Sequence, residues 1–538
     1  SKAAEIKKHI IQQNIYGVDI ERGAVDIARL RFWLALIVDE ETPQALPNLD
    51  FKIMQGNSLL EQYKGVDLST TTELTTEKKG IVQLTWFDSE LDLLRKELRD
   101  MLAQYYDCTD HKEKQVLRAR ITNNVKQQLR EQSINVDFGD LDLTGNNQFF
   151  LWHTWFYDVF SQGGFDIVIG NPPYVDSETM VKVMLKEREL YARQYSSARG
   201  NWDLFIVFIE LGISLLKENG VFSNIIPNKL IASKYGIELR KQLSSKYIIE
   251  IRDYSRIDVF EDAAVYPITI VFRNKSNKGN TLFTTMKNRV EIKQLNLAPS
   301  SELLMIDYWD PFFTDSSIFK LISKINRYRQ LKELPIEVLG AATVADAYEI
   351  KNLVQDDCSI DGFKLVNSGT IDPYITYWGV KQCRYIKGNY VYPKVPFAKL
   401  KTYSDVRYKQ ASSPKIIVAS MTTKYEASLD VIGEYIAGKS TTIIIGDKNE
   451  LYKLTAIINS KLASYWLNIM FNSLKMSGGA INIGKHELQI LPIPECEYDF
   501  KSLVQKIIDT KSGSHQNDTT ALESEIDRLV YQLYGLTE

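Results

Sequence analysis

Four consecutive residues, Asn171-Pro172-Pro173-Tyr174, combine groups that could do chemistry. An amide offers an acceptor oxygen and a donor nitrogen, two pyrrolidine rings freeze the backbone, and an aromatic ring offers a flat face. They follow Gly164-Phe165-Asp166-Ile167-Val168-Ile169-Gly170, an apolar β-rich run that breaks at Gly170. A parallel strand delivers a site at its carboxyl end in this way. A second candidate is Asp19, where Asn14-Ile15-Tyr16-Gly17-Val18-Asp19-Ile20 reads as a strand ending in an acid. A carboxylate there can accept from two vicinal ribose hydroxyls, or it can cap the helix that follows. Phe51 to Leu59 reads as another short strand, breaking at Gly56 into Asn57 and Ser58, a pair that an ordinary polar turn would also contain.

These groups need a frame, and the periodicity predicts one. Ile27, Leu30, Leu34 and Ile37 recur at helical steps and predict one buried face. From about Glu61 to Gln148 the strand rhythm disappears. Leu91, Leu94, Leu98, Leu102 and Tyr105 mark one amphipathic helix there and Lys112 to Gln132 a second, an inserted hairpin without assigned chemistry. The aromatic stretch Leu151 to Phe160 is expected to pack under the sheet. Asn201-Trp202-Asp203 then introduces an apolar helix, Leu204 to Leu216, followed by a strand Val221 to Ile226 ending in Pro227-Asn228-Lys229. A helix at Tyr235 to Leu243, a strand at Ile248 to Ile251 and a hairpin-like pair from Val259 to Phe272 complete the alternation. Such alternation predicts a doubly wound, largely parallel sheet. Asn274 to Asn280 reads as a linker and the region to about Lys332 as a transition. Short β segments with one helix, Glu450 to Phe471, fill Val338 to Pro494, and helix returns from Phe500 to Tyr534 with a break at Lys511 to Thr520.

At 538 residues the chain is long enough for two to four domains, and 44% apolar with 25% charged residues is a globular composition. No apolar run reaches the roughly 20 residues that span a bilayer. Cys108, Cys358, Cys383 and Cys496 are widely spaced, which suits a reducing compartment and argues against a zinc site. The net charge of −3 conceals a patch. Tyr374 to Lys415 holds nine Lys or Arg against one acid, Asp405, interleaved with nine aromatics. That is either a solvated basic face or an electrostatic footprint for a phosphate backbone.

Several motifs occur in one order: Gly17-Val18-Asp19, Gly56-Asn57-Ser58-Leu59, Ile169-Gly170-Asn171-Pro172-Pro173-Tyr174, Asp203-Leu204-Phe205, Ile226-Pro227-Asn228, and Val259-Phe260 with Val265-Tyr266-Pro267. Together they resemble the methyltransferase half of type IIG restriction-modification enzymes, in which nuclease, adenine methyltransferase and target recognition share one polypeptide. The Gly478-Gly479 turn and Leu491-Pro492-Ile493-Pro494 are similar to the recognition domain of that class, and Glu525 to Leu536 to its tail. The methyltransferase motifs are specific and the later ones loose.

The resemblance implies an α/β fold class. A doubly wound, Rossmann-like class I methyltransferase domain would span 1–290 with the helical insertion at about 61–148, then a transition over 291–335. A mixed α+β DNA target-recognition domain would follow over 336–498 and a C-terminal helical segment over 499–538. It implies S-adenosylmethionine as cofactor, bound by Asp19, Ile20, Asn57, Ser58 and Asn171, and Asn171, Pro172, Pro173 and Tyr174 as catalytic residues. Tyr174 and Tyr266 would stack on a flipped adenine, and Lys381, Arg384, Lys387, Lys394, Lys399, Lys401 and Arg407 would contact double-stranded DNA. No metal and no membrane are implied, and a monomer in a bacterial cytoplasm is expected. The family's glycine-rich cofactor loop and a nuclease constellation are missing, so the chain reads as a C-terminal fragment with an incomplete cofactor pocket, expected to bind S-adenosylmethionine weakly or not at all. Alternatives are a protein glutamine methyltransferase, a phage-exclusion methyltransferase without nuclease and, for this chain alone, a sequence-specific DNA-binding module.

Overall fold

The computed structural model describes residues 2–38, 46–69, 86–132, 134, 136–260, 266–276, 278–476, 478–495 and 498–536. Cys496 and the motif residues Glu261 to Val265 lie outside them. Two compact units are present: Ser1–Ile226 with Lys246–Ile248 and Ile270–Asn277, and Pro227–Ser245 with Ile249–Thr269 and Lys278–Glu538. Both mix helices and strands.

In the first unit the strand Gly17–Asp19 pairs in parallel with Ile53–Gln55, Val18 opposite Met54, and the helix Arg22–Ile37 connects them. Its expected buried face is corrected: Ile27, Leu30, Leu34 and Ile37 are each about half exposed, while Val25 and Leu36 are buried. The reason is Arg29, on the Val25–Leu36 side of the helix. Its Nε and Nη2 donate to the Ile53 carbonyl at 3.0 and 2.6 Å, and its guanidinium pairs with Asp50 at 2.9 Å, which fixes the side that meets the strands.

The second parallel pair joins Phe165–Gly170 to Leu216–Pro227, with Ile167 opposite Val221 and Gly170 opposite Asn224. Gly164, at φ +118°, starts that strand where a Cβ would sit 2.7 Å from the Leu215 carbonyl oxygen, so only glycine allows the approach. The connecting helix Phe205–Leu215 buries Phe205, Ile206, Val207 and Ile209, as its apolar sequence requires. A single continuous parallel sheet is not observed. Among the described residues Gly17–Asp19 and Ile53–Gln55 form their own sheet, and Ile167 and Ile169 of Phe165–Gly170 are 65% and 77% exposed. Aromatic contacts link the two pairs, Tyr16 meeting Phe156 at 4.8 Å and Phe165 at 5.6 Å. The inserted hairpin is present as Trp86–Asp107 and His111–Glu131, with Leu91, Leu94, Leu98 and Tyr105 buried and Asp110 capping the second helix.

In the second unit residues 250–253 run parallel to Asn280–Met286, Ile251 opposite Phe283, and Ile292–Pro299 pairs antiparallel with the latter. The stretch expected as linker and transition is therefore built structure, continued by the Asp315-capped helix Ser316–Ile325. The hairpin-like pair expected from Val259 to Phe272 is instead one strand, Pro267–Ser276, after an irregular 257–260. An antiparallel sheet runs in the order Glu337–Gly340, Thr441–Ile445, Lys415–Ala419, Ala427–Asp430. A second sheet joins Gln355–Asp356, Pro393–Pro396, Gly362–Val366 and Tyr435–Ala437. The single helix expected at Glu450 to Phe471 is two, Lys448–Asn459 and Lys461–Met470, because the Ser460 hydroxyl caps the second. Helices Phe500–Gly513 and Thr520–Leu533 bury Val504, Ile507, Ile526 and Val530 in the same core as Ile416, Val418 and Ile457.

Asp310 is buried in this unit, accepting from the Ser473 amide at 3.0 Å and hydroxyl at 2.8 Å, and burial pushes its carboxyl from 3.8 up to about 7. The folded state then holds a proton that the unfolded state has released. Stability falls as pH rises from 3.8 toward 7, and Asp310→Asn should flatten that slope in urea titrations across the interval.

Candidate active site

The parallel strand Phe165–Gly170 ends at the turn that carries the amide and the aromatic ring. Asn171 is exposed, and neither its side chain nor the Pro172 carbonyl is engaged among the described residues. Pro172 is buried, which anchors the turn, and Pro173 is exposed, its carbonyl accepting from the Val175 amide at 3.1 Å. Tyr174 is half-buried, and that burial pushes its phenol up to about 12, so it stays neutral in the physiological range. Asp176 caps the following helix Ser177–Val183 through the Thr179 amide. Asp203, itself buried, accepts from the Ser177 amide at 3.2 Å, while the Leu204 amide donates to the Val175 carbonyl at 2.9 Å. Arg188 stacks over Trp202 at 4.6 Å and donates to the Gly200 carbonyl at 2.9 Å, which fixes the loop beneath.

The other candidate turns meet at the carboxyl ends of the first strand pair, where the Gly56 amide donates to the Asp19 carbonyl at 2.9 Å. One Asp19 carboxylate oxygen accepts from the Glu21 amide at 2.8 Å, a local turn, and the other has no partner among the described residues. Ile20 is 46% exposed beside it. Asn57 is buried, its nitrogen donating to the Tyr191 hydroxyl at 3.2 Å and its oxygen accepting from the Leu59 amide at 3.1 Å. Both ends of that amide are spent on structure, as in an ordinary Asn turn. Ser58 is partly exposed and its carbonyl accepts from the Trp152 indole at 2.9 Å.

The basic region of the second unit divides into two kinds of cation. Lys381, Arg384, Lys387, Lys399 and Lys401 are exposed. Lys387 sits at the tip of the hairpin Cys383–Tyr385 with Gly388–Tyr390, at φ +62° in a tight turn, while Lys399 and Lys401 ride on the helix Phe397–Tyr403. Tyr385 and Leu400 share one small core, so hairpin and helix are neighbours. Arg407 and Lys394 are half-buried and engaged within the chain. Arg407 is held inside by Asp346 at 2.5 Å, by Gln410 and by the Ala341 carbonyl; the pairing holds the Asp346 carboxyl well below the usual range. Lys394 donates to the carbonyls of Cys358 and Ile360 at 3.0 and 2.7 Å. Tyr266, in the same unit, is 47% exposed and its carbonyl accepts from the Asn228 amide at 2.8 Å.

Residues 13–260, which contain the Asn171–Tyr174 turn and both strand-end turns, match the Eco57I restriction-modification methylase family. The chain carries an Eco57I-type restriction-modification methylase domain. RM.MjaORFECS2P of Methanocaldococcus jannaschii, named as a putative type II restriction enzyme and methyltransferase, is 25% identical over 98% of this chain and 49% of its own length. RM.Eco57I of Escherichia coli, named as a type II restriction enzyme and methyltransferase, is 33% identical over 33% of this chain and 17% of its own. The chain thus spans about half the length of the first relative and less of the second. The solved structure of the type IIL restriction-modification enzyme MmeI in complex with DNA aligns over 78% of this chain and 60% of that one, at 11% identity and a TM-score of 0.44. That likeness is too distant for detail to be carried over.

Within this methylase domain two groups escaped the sequence reading. Asp203 stood in the motif order without a role, and Asn224 carried no signal, since a lone Asn in a strand belongs to no pattern. Asn224 lies opposite Gly170, is 5% exposed, and its amide oxygen has no hydrogen-bond partner among the described residues. A buried acceptor without a donor is costly unless a ligand supplies one. The ribose hydroxyls and ammonium of S-adenosylmethionine are donors, and the open Asp19 oxygen at the end of Gly17–Asp19 and the Asn224 oxygen on Leu216–Pro227 are acceptors of the matching kind on two separate sheets. Among the described residues there is no cluster that could hold a metal ion and no helix long and apolar enough to cross a membrane.

Proposed function

We propose that this chain provides the methyl-transfer and target-contacting parts of a type II restriction-modification enzyme acting on the exocyclic amine of adenine in duplex DNA. The observation that carries the reading is the pair of unengaged acceptors, the Asn171 amide oxygen and the Pro172 carbonyl, at the carboxyl end of a parallel strand beside a half-buried Tyr174. The amine of adenine is a poor nucleophile because its lone pair is delocalised into the ring. Two acceptors aimed at its two hydrogens favour a tetrahedral nitrogen and free that lone pair, and the prolines hold the acceptors without reorganisation. When bound at the strand end that carries Asp19, S-adenosylmethionine would supply an electrophilic methyl on a sulfonium. No strong base is required, because the methylated amine is acidic and loses its proton to solvent. The amine is inaccessible in a duplex, so the base must be extruded at a cost of a few kcal/mol, against which stacking on Tyr174 contributes about 1–3 kcal/mol.

The test is transfer of labelled methyl from S-adenosylmethionine to mixed-sequence duplex, followed by nucleoside chromatography. Label in N6-methyladenine supports the reading, and label in cytosine or in protein overturns it. The exposed lysines favour one further property, DNA binding by the second unit. Lys399→Glu with Lys401→Glu should weaken duplex binding and reduce the slope of log affinity on log salt by about one for each phosphate no longer neutralised. Arg407→Gln should leave that slope unchanged. Filter binding at several salt concentrations measures both.

A further inference from the structure

A cavity of about 630 Å³ in the first unit is lined by none of the residues assigned above to catalysis or cofactor. Its walls come from the helix Trp86–Asp107, from 154–162, and from Tyr16 and Lys52, which immediately precede the two short parallel strands. It therefore opens toward the amino ends of those strands, whereas Asp19 and Gly56 sit at their carboxyl ends.

Three cations, Lys52, Arg95 and Arg99, and two carboxylates, Asp107 and Asp158, line it. Lys52 is 8% exposed and has no carboxylate within ion-pair distance among the described residues. Its ammonium rests on the Tyr16 ring at 3.9 Å and lies 5.6 Å from the Tyr106 ring. Arg99, by contrast, is neutralised by Asp158 through bonds of 2.6 to 3.1 Å. Arg95 stacks over Tyr157 at 4.4 Å and pairs with the exposed Asp92 at 3.1 Å. The Thr154 hydroxyl, in a residue 3% exposed in the cavity wall, has no hydrogen-bond partner among the described residues. A buried ammonium on aromatic faces and a buried hydroxyl without a partner among the described residues both line this cavity, and an anion is the ligand class to which each can donate. The volume suits a small organic ligand, and the walls are rich in aromatic rings, including Phe51 and Trp155.

We propose that this cavity is a second ligand site, for an aromatic anion of nucleoside monophosphate size, with its anionic group on Lys52 and Thr154 and its ring among Tyr16, Tyr106 and Trp155. Binding is tied to the Lys52 proton. Burial pushes that ammonium down to about 8, Asp158 being the carboxylate that opposes the shift. Tyr16 and Tyr106 are both raised and remain neutral phenols over the same range. Affinity is therefore highest below pH 8 and declines as Lys52 deprotonates.

Calorimetric titration of the whole chain with uridine monophosphate, uridine and inorganic phosphate tests the assignment. Saturable binding of the monophosphate is expected, with uridine and phosphate each weaker by about tenfold or more, and the same loss in Lys52→Met and Thr154→Val. Lys52→Met removes a buried charge without removing bulk, so its thermal midpoint should not fall. Asp19→Ala should leave this binding unchanged. No saturable binding by the wild type overturns the proposal. So does unaltered affinity in Lys52→Met with a native midpoint, equal binding of phosphate alone, or loss of binding in Asp19→Ala.

Discussion

Asn171→Ala is expected to lower methyl transfer by about two to three orders of magnitude, the cost of removing one preorganised group aimed at developing charge. The side chain is exposed and bonds to no other described group, so stability should stay within about 0.5 kcal/mol of wild type. That combination separates a chemical role from a structural one. Asn171→Asp retains an acceptor oxygen and should recover part of the loss. Duplex affinity should be untouched, because the lysines proposed to hold phosphates lie elsewhere in the chain. Normal transfer by the alanine variant, measured with labelled cofactor at saturating DNA, would remove the turn from the mechanism.

The second large effect concerns stability. Lys415 and Asp430 pair at 2.5 Å with both side chains 1% exposed, across neighbouring antiparallel strands. Asp430 also accepts from the amides of Gly433, Glu434 and Tyr435 at 2.8 to 3.1 Å, and Lys415 donates to the Ala411 carbonyl at 2.6 Å. Asp430→Ala leaves a buried ammonium without its counter-charge and three amides without their acceptor. A loss of about 3–5 kcal/mol in urea unfolding is expected. Lys415→Met combined with Asp430→Leu should recover only part of it, because the backbone amides stay unsatisfied. A loss below about 1 kcal/mol in the single variant would mean that water reaches the site.

Much of this was legible in the sequence. The strand Phe165–Gly170, its proline turn and the helical hairpin are set by local rules, namely apolar runs, proline geometry and helical spacing over adjacent residues. What escaped depends on partners far along the chain. The helix Arg22–Ile37 has apolar residues on two sides, and only the reach of Arg29 to Asp50 and Ile53 decides between them. Arg407 counted as a surface cation because Asp346 is remote in sequence. Asn57 looked available because Tyr191, which engages it, lies 134 residues later. The open acceptor of Asn224 became visible only once register placed it opposite Gly170.

The two tyrosines of the helix Leu185–Gln194 and its cap give this arrangement a mechanical character. Tyr191 accepts from Asn57, and the Tyr195 hydroxyl donates to the Leu59 carbonyl at 2.9 Å. The helix follows the Asn171 turn after only one short helix, so the turn beyond Ile53–Gln55 and the segment leaving the catalytic strand are bolted to one strut. A displacement of this helix would carry both the turn beyond Ile53–Gln55 and the segment leaving Phe165–Gly170, so the two would move as one jaw rather than as two independent fingers.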